Sequence, residues 1–354
     1  MANLRYAVIS GHTSHVQKLL AAKADTGSHF NDDEGRDSGT ALHLAASQGA
    51  VAIVDALLRS GADVHAVMET GASPLHAAAS NGHAAAAEWL IRGGADAEAT
   101  DDTGATALHL AAAGGRQQAA QKLVAAGADI AARDESFQTP LHCAAYVGHE
   151  GVVAGLLPLR ADLDAPDMDC KTALHLAAEC GHCAVAALLA DGGADLQARD
   201  ADGDTPLHAG AGAGHAEILE LLVSRGARFV ANTGGCTPLH PAAAGGFAKA
   251  ARRLMALGAE VNARNVDGEA PLHLAARNNR YQVADLLMER AADPHASDRD
   301  GWSALRASIE MGHARIVELL LDRGSTVAED LGDCDGATAL HLAAAADNAE
   351  LIEV

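Results

Sequence analysis

The sequence predicts an all-α repeat solenoid, in which short helices stack on one another along the chain. A four-residue signature of the form Thr-Pro-Leu-His recurs ten times, nearly always at an interval of 33 residues. Hydrophobic residues make up 49% of the 354 residues, whereas aromatic residues make up only 3%. The apolar content is therefore mainly Ala, Leu and Val, which suits thin helices packed closely together. A fixed period of this length indicates an array of similar small units, each packed on its neighbours.

The copies share a leading residue that is usually Thr or Ser, then Pro or Ala, then Leu, and then His in all but one copy. The ten copies begin at Thr40, Ser73, Thr106, Thr139, Thr172, Thr205, Thr237, Ala270, Ser303 and Thr338. The interval between successive fourth residues is 33 from His43 to His208, and then 32, 33, 33 and 35. In the ninth copy Arg306 replaces the histidine.

The repeat that begins at Thr205 illustrates how one unit folds. Thr205 is a preferred N-cap residue, and Pro206 suits the first helical position because its missing N–H would be unpaired there anyway. Gly214 is expected to end this helix in a left-handed turn, and His215 opens a second helix that ends at Gly226. Helices of two or three turns are marginal on their own in water, so stacking on the next unit must bury their apolar faces.

The helix-ending glycine is replaced in some copies. Arg160 and Ala291 occupy its position, and a residue with a Cβ in the left-handed conformation costs about 1 kcal/mol. Asn279 stands in for the glycine of a tight turn, a position that Asn tolerates well.

The Thr-Pro-Leu-His-x-Ala pattern at this period resembles the ankyrin repeat, and the resemblance covers essentially the whole chain in about eleven repeats. It implies two helices and a β-hairpin finger per repeat, stacked into a curved, elongated array that binds other proteins through the finger tips and the exposed end of each first helix. In this family the signature histidine is a structural residue that ties one repeat to the next. The positions that match it are His43, His76, His109, His142, His175, His208, His240, His273 and His341.

We expect one ankyrin-repeat domain over residues 1–354. It comprises an N-terminal capping repeat (1–25), a long polar loop that forms a mobile finger (26–39), regular repeats (40–330) and an incomplete terminal repeat (331–354). The main functional prediction is a non-catalytic scaffold or adaptor. The unfinished last repeat motivates the alternative, an N-terminal targeting segment of a longer protein with an enzyme, channel or ubiquitin-ligase-adaptor part beyond residue 354.

The formal net charge of −22 bears on the class of partner. Nucleic acids and anionic lipids are bound through clustered Lys and Arg, so both are expected to be repelled. A partner protein with a basic segment is favoured, although plain solvation of a large surface would account equally well for the acidic composition. The six cysteines lack regular spacing, and we see neither a signal peptide nor an apolar segment for membrane insertion. We expect a monomer in the cytoplasm, with the nucleus as the alternative.

Several motifs suggest chemistry, and each has a simpler interpretation. Cys180-Gly181-His182-Cys183 resembles a redox site, but it falls at a helix–turn–helix junction where the repeat already requires Gly and His. Acidic pairs such as Asp101-Asp102 are placed on loop tips, where water is expected to keep their pKa values ordinary. We therefore predict no catalytic residue, no metal and no cofactor. Asn262 resembles a loop asparagine that is hydroxylated in some ankyrin proteins, and this modification is left open.

The register of the repeats places candidate partner-binding residues at the finger tips and on the first helices. The fingers from about residue 100 to 205 are acidic, and exposed aromatic residues in an aromatic-poor chain are the best candidates for binding hot spots. Packing of Phe137 on a neighbouring finger is the alternative. The candidates are Phe137, Tyr146, Trp302, Asp102, Glu135, Asp169, Asp202, Asp204, Glu179, Arg277 and Arg299.

Overall fold

The structure is a computed structural model that describes residues 2–31 and 37–325. The chain divides into two compact units, with the boundary between Ala173 and Leu174. The signature copy at Thr338, its His341, the terminal repeat from 331 to 354 and residues 32–36 of the long loop lie outside the described residues.

The first unit consists of helix pairs and one short hairpin. The first helix of each repeat contacts the first helix of the next repeat, from α1 through α3, α5 and α7 to α9. The second helices do the same from α2 through α4, α6 and α8 to α10. The helices are α1 (Ala2–Ile9), α2 (Thr13–Ala21), α3 (Ala41–Ser47), α4 (Val51–Arg59), α5 (Pro74–Ser80), α6 (Ala84–Arg92), α7 (Ala107–Ala113), α8 (Gln117–Ala125), α9 (Pro140–Val147) and α10 (Glu150–Leu156). A 3-10 turn covers Leu157–Leu159. The strands β1 (Phe30–Asn31) and β2 (Asp37–Gly39) pair antiparallel within the long loop.

The second unit continues the same pattern of paired short helices. Its helices are α11 (Ala173–Glu179), α12 (Cys183–Asp191), α13 (Pro206–Gly212), α14 (Ala216–Ser224), α15 (Leu239–Gly245), α16 (Ala248–Ala256), α17 (Pro271–Arg277), α18 (Tyr281–Glu289), α19 (Ala304–Glu310) and α20 (Ala314–Asp322). First helices contact first helices from α13 to α19, and second helices contact second helices from α12 to α20. The sequence prediction of an all-α repeat solenoid is confirmed.

The core of each unit is thin and continuous, as the composition indicates. In the repeat at Thr40, the signature Leu42 and the pair Ala45 and Ala46 are fully buried, and Ile53 and Leu57 of the second helix are buried beneath them. Burying one leucine side chain contributes roughly 1.5–3 kcal/mol, and a helix of seven to nine residues has little stability without such contacts. The alanine pairs add almost no side-chain bulk, so neighbouring first helices can approach closely.

The signature histidine caps its own helix through Nδ1 and joins its repeat to the next through Nε2. Nδ1 of His109 accepts the N–H of Thr106 at 3.1 Å, and Nε2 lies 3.0 Å from the carbonyl oxygen of Gln138 in the next finger. A backbone N–H only donates and a carbonyl only accepts, so the ring must be neutral with its proton on Nε2. The same two contacts recur at His43, His76, His142, His208, His240 and His273.

Burial disfavours the charged form of these rings. It lowers the pKa of six signature histidines below the ordinary value, in spite of the opposing effect of the backbone carbonyl that each ring contacts. They are His76, His109, His142, His208, His240 and His273. The rings therefore stay neutral in the folded chain, as their hydrogen bonds require.

In several repeats the residue that follows the tight turn supplies a second link to the preceding repeat. Nε2 of His149 lies 2.8 Å from the carbonyl oxygen of Ala113, 36 residues earlier. His83, His215 and His313 make the same contact, and Arg116 and Arg280 make it through Nε. Phe247 occupies this position in one repeat and instead lies over Gly214, where an added Cβ would come within 2.5 Å of its ring.

The left-handed helix ends occur where the register predicts them. Gly214 and Gly226 have φ values of 82° and 103°. Arg160 and Ala291 adopt φ values of 60° and 61° in place of glycine, so the repeat geometry forces the conformation on side chains that disfavour it. Asn279 has a φ of 56°, a conformation that asparagine tolerates.

Over the residues that the structure covers, none of the helices is both long enough and apolar enough to cross a membrane.

Candidate functional site

From Asp101 onward, each finger in the described residues is a tight turn held by the side chain of its first Asp or Asn. Oδ1 of Asp101 accepts the N–H groups of Thr103 and Ala105 at 2.9 and 3.1 Å, and Asp134 makes the equivalent contacts in the next finger. Partial burial opposes ionisation of Asp101, but the hydrogen bonds from Thr103 and Ala105 outweigh it and lower its pKa. The expectation of an ordinary pKa is therefore wrong for Asp101, because backbone donors as well as water surround the carboxylate.

Consecutive fingers of the first unit are joined by backbone hydrogen bonds that hold their tips side by side. The N–H of Glu135 donates to the carbonyl of Thr103 at 3.0 Å, and the N–H of Met168 donates to the carbonyl of Ser136 at 3.0 Å. The carboxylates of Asp102, Glu135 and Asp169 are exposed on three consecutive fingers. The structure thus brings together three of the acidic residues that the sequence singled out.

Phe137 stands among these carboxylates in a strained conformation. Its φ of 60° lies in the left-handed region, which a bulky residue rarely adopts, and 53% of its surface is exposed. The guanidinium of Arg133 lies 6.0 Å from the centroid of its ring, a cation–π distance. Packing on a neighbouring finger stays an alternative for the part of Phe137 that does not face solvent.

Among the other large apolar side chains that are exposed in this unit, two bear on the candidate site. Met168 is 63% exposed on the finger next to Phe137, and Tyr146 is 58% exposed at the end of α9. Tyr146 is separated from Phe137 by most of a helix, or about 10 Å at a rise of 1.5 Å per residue. We call the side chains of Asp102, Glu135, Phe137, Met168 and Asp169 the finger surface.

In the second unit, some of the candidate partner-binding residues are exposed and others bond to neighbouring side chains. Glu179, Asp202 and Arg299 are exposed. Asp204 is half-buried, and its carboxylate accepts the side-chain N–H of Asn232 at 2.6 Å. Asp204 therefore supports the neighbouring finger and is not an open acidic tip.

Arg277 and Trp302 are also engaged within the protein. Arg277 forms an ion pair at 2.5 Å with Glu269, whose side chain is only 8% exposed. Trp302 is half-buried, with the guanidinium of Arg306 at 4.7 Å from its ring centroid. The expectation that Trp302 is an exposed aromatic residue is wrong, because the arginine that replaces the signature histidine covers its ring.

Sequence reasoning missed the unusual backbone of the finger tips at Phe137 and Cys170. Both have φ near 60° and both are exposed. They occupy the position at which other fingers carry a glycine of positive φ, namely Gly71, Gly104, Gly203, Gly235, Gly268 and Gly301. Alignment of the copies at the position two residues before the signature would have revealed the substitution.

The remaining chemical motifs are built into the repeat. α11 ends at Glu179 and α12 begins at Cys183, so Cys180 and Cys183 flank a turn between helices. Burial, reinforced by the charge of Glu217, raises the pKa of the Cys183 thiol, whereas a nucleophilic cysteine needs a lowered one. In the part of the chain that the structure describes, no cluster of His, Cys, Asp or Glu could hold a metal ion.

Asn262 is exposed but is not a loose loop residue. Its side-chain N–H donates to the carbonyl of Ala291 at 3.2 Å, and its Oδ1 accepts the N–H of Asp293 at 2.9 Å. The asparagine thus links two successive loops, and its modification stays a prediction.

The comparisons with known proteins agree with this geometry. A family model described as ankyrin repeats (3 copies) matches residues 4–101, 42–134, 75–167, 165–233, 228–298 and 290–354. No curated protein matches the chain. Because the matched segments together cover almost the entire sequence, the chain belongs to the ankyrin repeat family.

Proposed function

We propose that the chain is a protein-interaction scaffold whose finger surface binds a basic segment of a partner protein. Ankyrin repeats are generally protein–protein interaction modules, and the family is typically non-enzymatic. The observation that carries the finer proposal is Phe137, an exposed aromatic side chain kept in a strained conformation between exposed carboxylates. Backbone strain that a protein retains at an exposed position is characteristic of functional sites.

The chemistry of the finger surface favours one kind of ligand. Phe137 and Met168 offer adjacent apolar contacts, and aromatic side chains are enriched among residues that dominate binding energy. Asp102, Glu135 and Asp169 surround them with negative charge, which accelerates the approach of a basic partner and sets its orientation. A segment with an apolar side chain flanked by Lys or Arg would complement both features.

Other exposed candidates have a supporting role in this proposal. Tyr146 would add an apolar contact about one helix length from Phe137, for a ligand long enough to reach it. Glu179 and Asp202 in the second unit would add to the long-range attraction, and the exposed Arg299 would contribute a local positive charge. The monomeric state and the location in cytoplasm or nucleus stay predictions.

Affinity capture with variants of the full chain tests the proposal. Phe137→Ala combined with Tyr146→Ala should remove the proteins that wild type captures, because both side chains are exposed and their loss leaves the core intact. The measurement is quantitative mass spectrometry of the captured proteins. An unchanged set of captured proteins would reject the finger surface as the binding site.

The charge component needs its own variant and a matched control. The triple variant Asp102→Asn, Glu135→Gln, Asp169→Asn should weaken capture and reduce its dependence on salt. The control removes the same charge from exposed carboxylates on second helices: Glu150→Gln, Glu289→Gln and Glu318→Gln. Equal losses with the two triple variants would mean that net charge, and not the finger surface, attracts the partner.

A further inference from the structure

A cationic cleft opens on the second helices of the second unit, on residues that the finger surface does not include. Its volume is about 340 Å³, and it runs along α16 between α14 and the end of α18. The polar residues that line it are Glu217, Lys249, Arg252, Arg253 and Arg290, and the other lining residues are Ala216 and Ala256. We call it the α16 cleft. Four cations against one carboxylate stand out in a chain of net charge −22.

Two of the four cations are already matched within the protein. Lys249 pairs with Glu217, and Arg253 lies 3.3 Å from Glu220. Arg252 and Arg290 are exposed and, among the residues that the structure describes, have no hydrogen-bonded or ion-paired side chain. The cleft therefore presents two guanidinium groups whose donors are available to a ligand.

Several cations on or at the end of other second helices are matched by a carboxylate. Lys122 pairs with Glu88, Arg225 with Asp191 and Arg323 with Asp285, so that each of these three meets a carboxylate of the preceding repeat. Exposed pairs of this kind contribute little stability, and an unmatched pair of arginines contributes none. Fold stability thus gives no reason for Arg252 and Arg290 to lie in the same cleft.

We propose that the α16 cleft binds an acidic segment of a partner protein, with Arg252 and Arg290 each engaging a carboxylate. The planar guanidinium group matches a carboxylate through two parallel hydrogen bonds, which makes arginine the preferred residue for this recognition. Lys249 and Arg253 supply positive charge beside the two contacts. The expected ligand has the opposite charge to the one proposed for the finger surface, so the two proposals stand on separate observations.

The size and surroundings of the cleft favour a short protein segment over an extended polyanion. A volume of about 340 Å³ has room for a few side chains. Carboxylates bound the patch, with Glu217 and Glu220 on α14 and Glu289 next to Arg290. An extended polyanion such as a nucleic acid or an anionic membrane would have to contact these carboxylates as well, whereas a short acidic segment can be confined to the cleft.

Fluorescence anisotropy with a labelled hexaglutamate peptide and the full-length chain tests the proposal. We expect the double variant Arg252→Ala, Arg290→Ala to bind the peptide about tenfold more weakly than wild type, which corresponds to the loss of two exposed charge contacts. The matched control, Lys18→Ala with Arg228→Ala, removes two exposed positive charges outside the cleft and should leave the affinity unchanged.

Three results would overturn the proposal. The first is equal affinity of wild type and the cleft double variant for hexaglutamate. The second is tighter binding of a single-stranded oligonucleotide or a phosphatidylserine vesicle than of hexaglutamate, with a loss in the cleft variant. The third is a concentration-dependent dimer in sedimentation that the cleft variant abolishes, which would assign the cleft to a second copy of this chain. The finger-surface variants serve as a further control, because they should bind hexaglutamate at least as well as wild type.

Discussion

Replacing Phe137 first by alanine and then by glycine separates the strain of its backbone from the role of its ring. Phe137→Ala removes the ring and its cation–π contact with Arg133, which contributes about 0.5–1 kcal/mol at an exposed site. The alanine retains φ near 60°, where a residue with a Cβ costs about 1–2 kcal/mol. Glycine removes this cost. However, glycine loses more backbone freedom on folding than alanine does, which lowers stability by about 0.5–1 kcal/mol. The glycine variant should therefore be more stable than the alanine variant by about 0.5–1 kcal/mol.

A neighbouring residue of negative φ provides the reference. Glu135 lies on the same finger and is not in the left-handed region, so glycine there should be less stable than alanine by about 0.5–1 kcal/mol. The opposite signs at residues 135 and 137 are the result that the strain argument requires.

Hydrogen exchange of the amides of α9 in the full-length chain is the appropriate assay, because unfolding of repeat arrays is local and a global midpoint would dilute the effect. At position 135, glycine should give lower protection from exchange than alanine. If glycine also gives lower protection than alanine at position 137, then Phe137 is not strained, and its conformation is no evidence for binding.

Three further outcomes follow from the contacts described above. The six signature histidines of lowered pKa are neutral in the folded chain. Below about pH 6.5 these histidines take up protons in the unfolded chain before they do so in the folded chain. The free energy of unfolding therefore falls as the pH falls, by up to about 1.4 kcal/mol per histidine and pH unit. Urea midpoints should therefore drop between pH 6.5 and 5, above the range in which most carboxylates titrate, and constant midpoints would contradict this. Glu269→Ala should lower the free energy of unfolding by about 1–3 kcal/mol, because it leaves Arg277 unpaired beside a cavity. Glu269→Gln should lower it less, and urea unfolding measures both. Gly127→Ala should cost about 1 kcal/mol for its positive φ alone. Gly115→Ala should lower the melting temperature further, because its Cβ would come within 2.6 Å of the His149 ring, and equal effects would refute this account.

The repeat register predicted the helices and several unusual backbone positions. Arg160 and Ala291 were assigned to left-handed helix ends because they stand where other repeats have glycine, and both adopt that conformation. Such predictions succeed because a 33-residue unit repeats its backbone along with its signature. The same reasoning, applied to the finger glycine, would have identified Phe137 as strained.

The register failed where a side chain is engaged by a neighbouring one. Trp302 lies next to a finger tip, as the sequence indicates, but the guanidinium of Arg306 covers its ring. Arg277 is on a first helix as expected, yet it neutralises the buried carboxylate of Glu269. Position within a repeat specifies the direction of a side chain and does not specify which partner it meets there.

The sequence by itself determined the fold family, the positions of the helices and the sites of tight turns, because these depend on local propensity and on a period that the chain repeats. Only the tertiary structure decided which surface residues are open. It exposed Asp102 and Phe137 on adjacent fingers and engaged Asp204 with the next one. Among the residues it describes, it gave Arg252 of the α16 cleft no hydrogen-bonded or ion-paired side chain. The physical reason is that exposure and pairing depend on which side chains meet in space, whether they are 4 positions apart, as Trp302 and Arg306 are, or 28 apart, as Asp204 and Asn232 are. Those contacts vary with the particular side chains of each repeat.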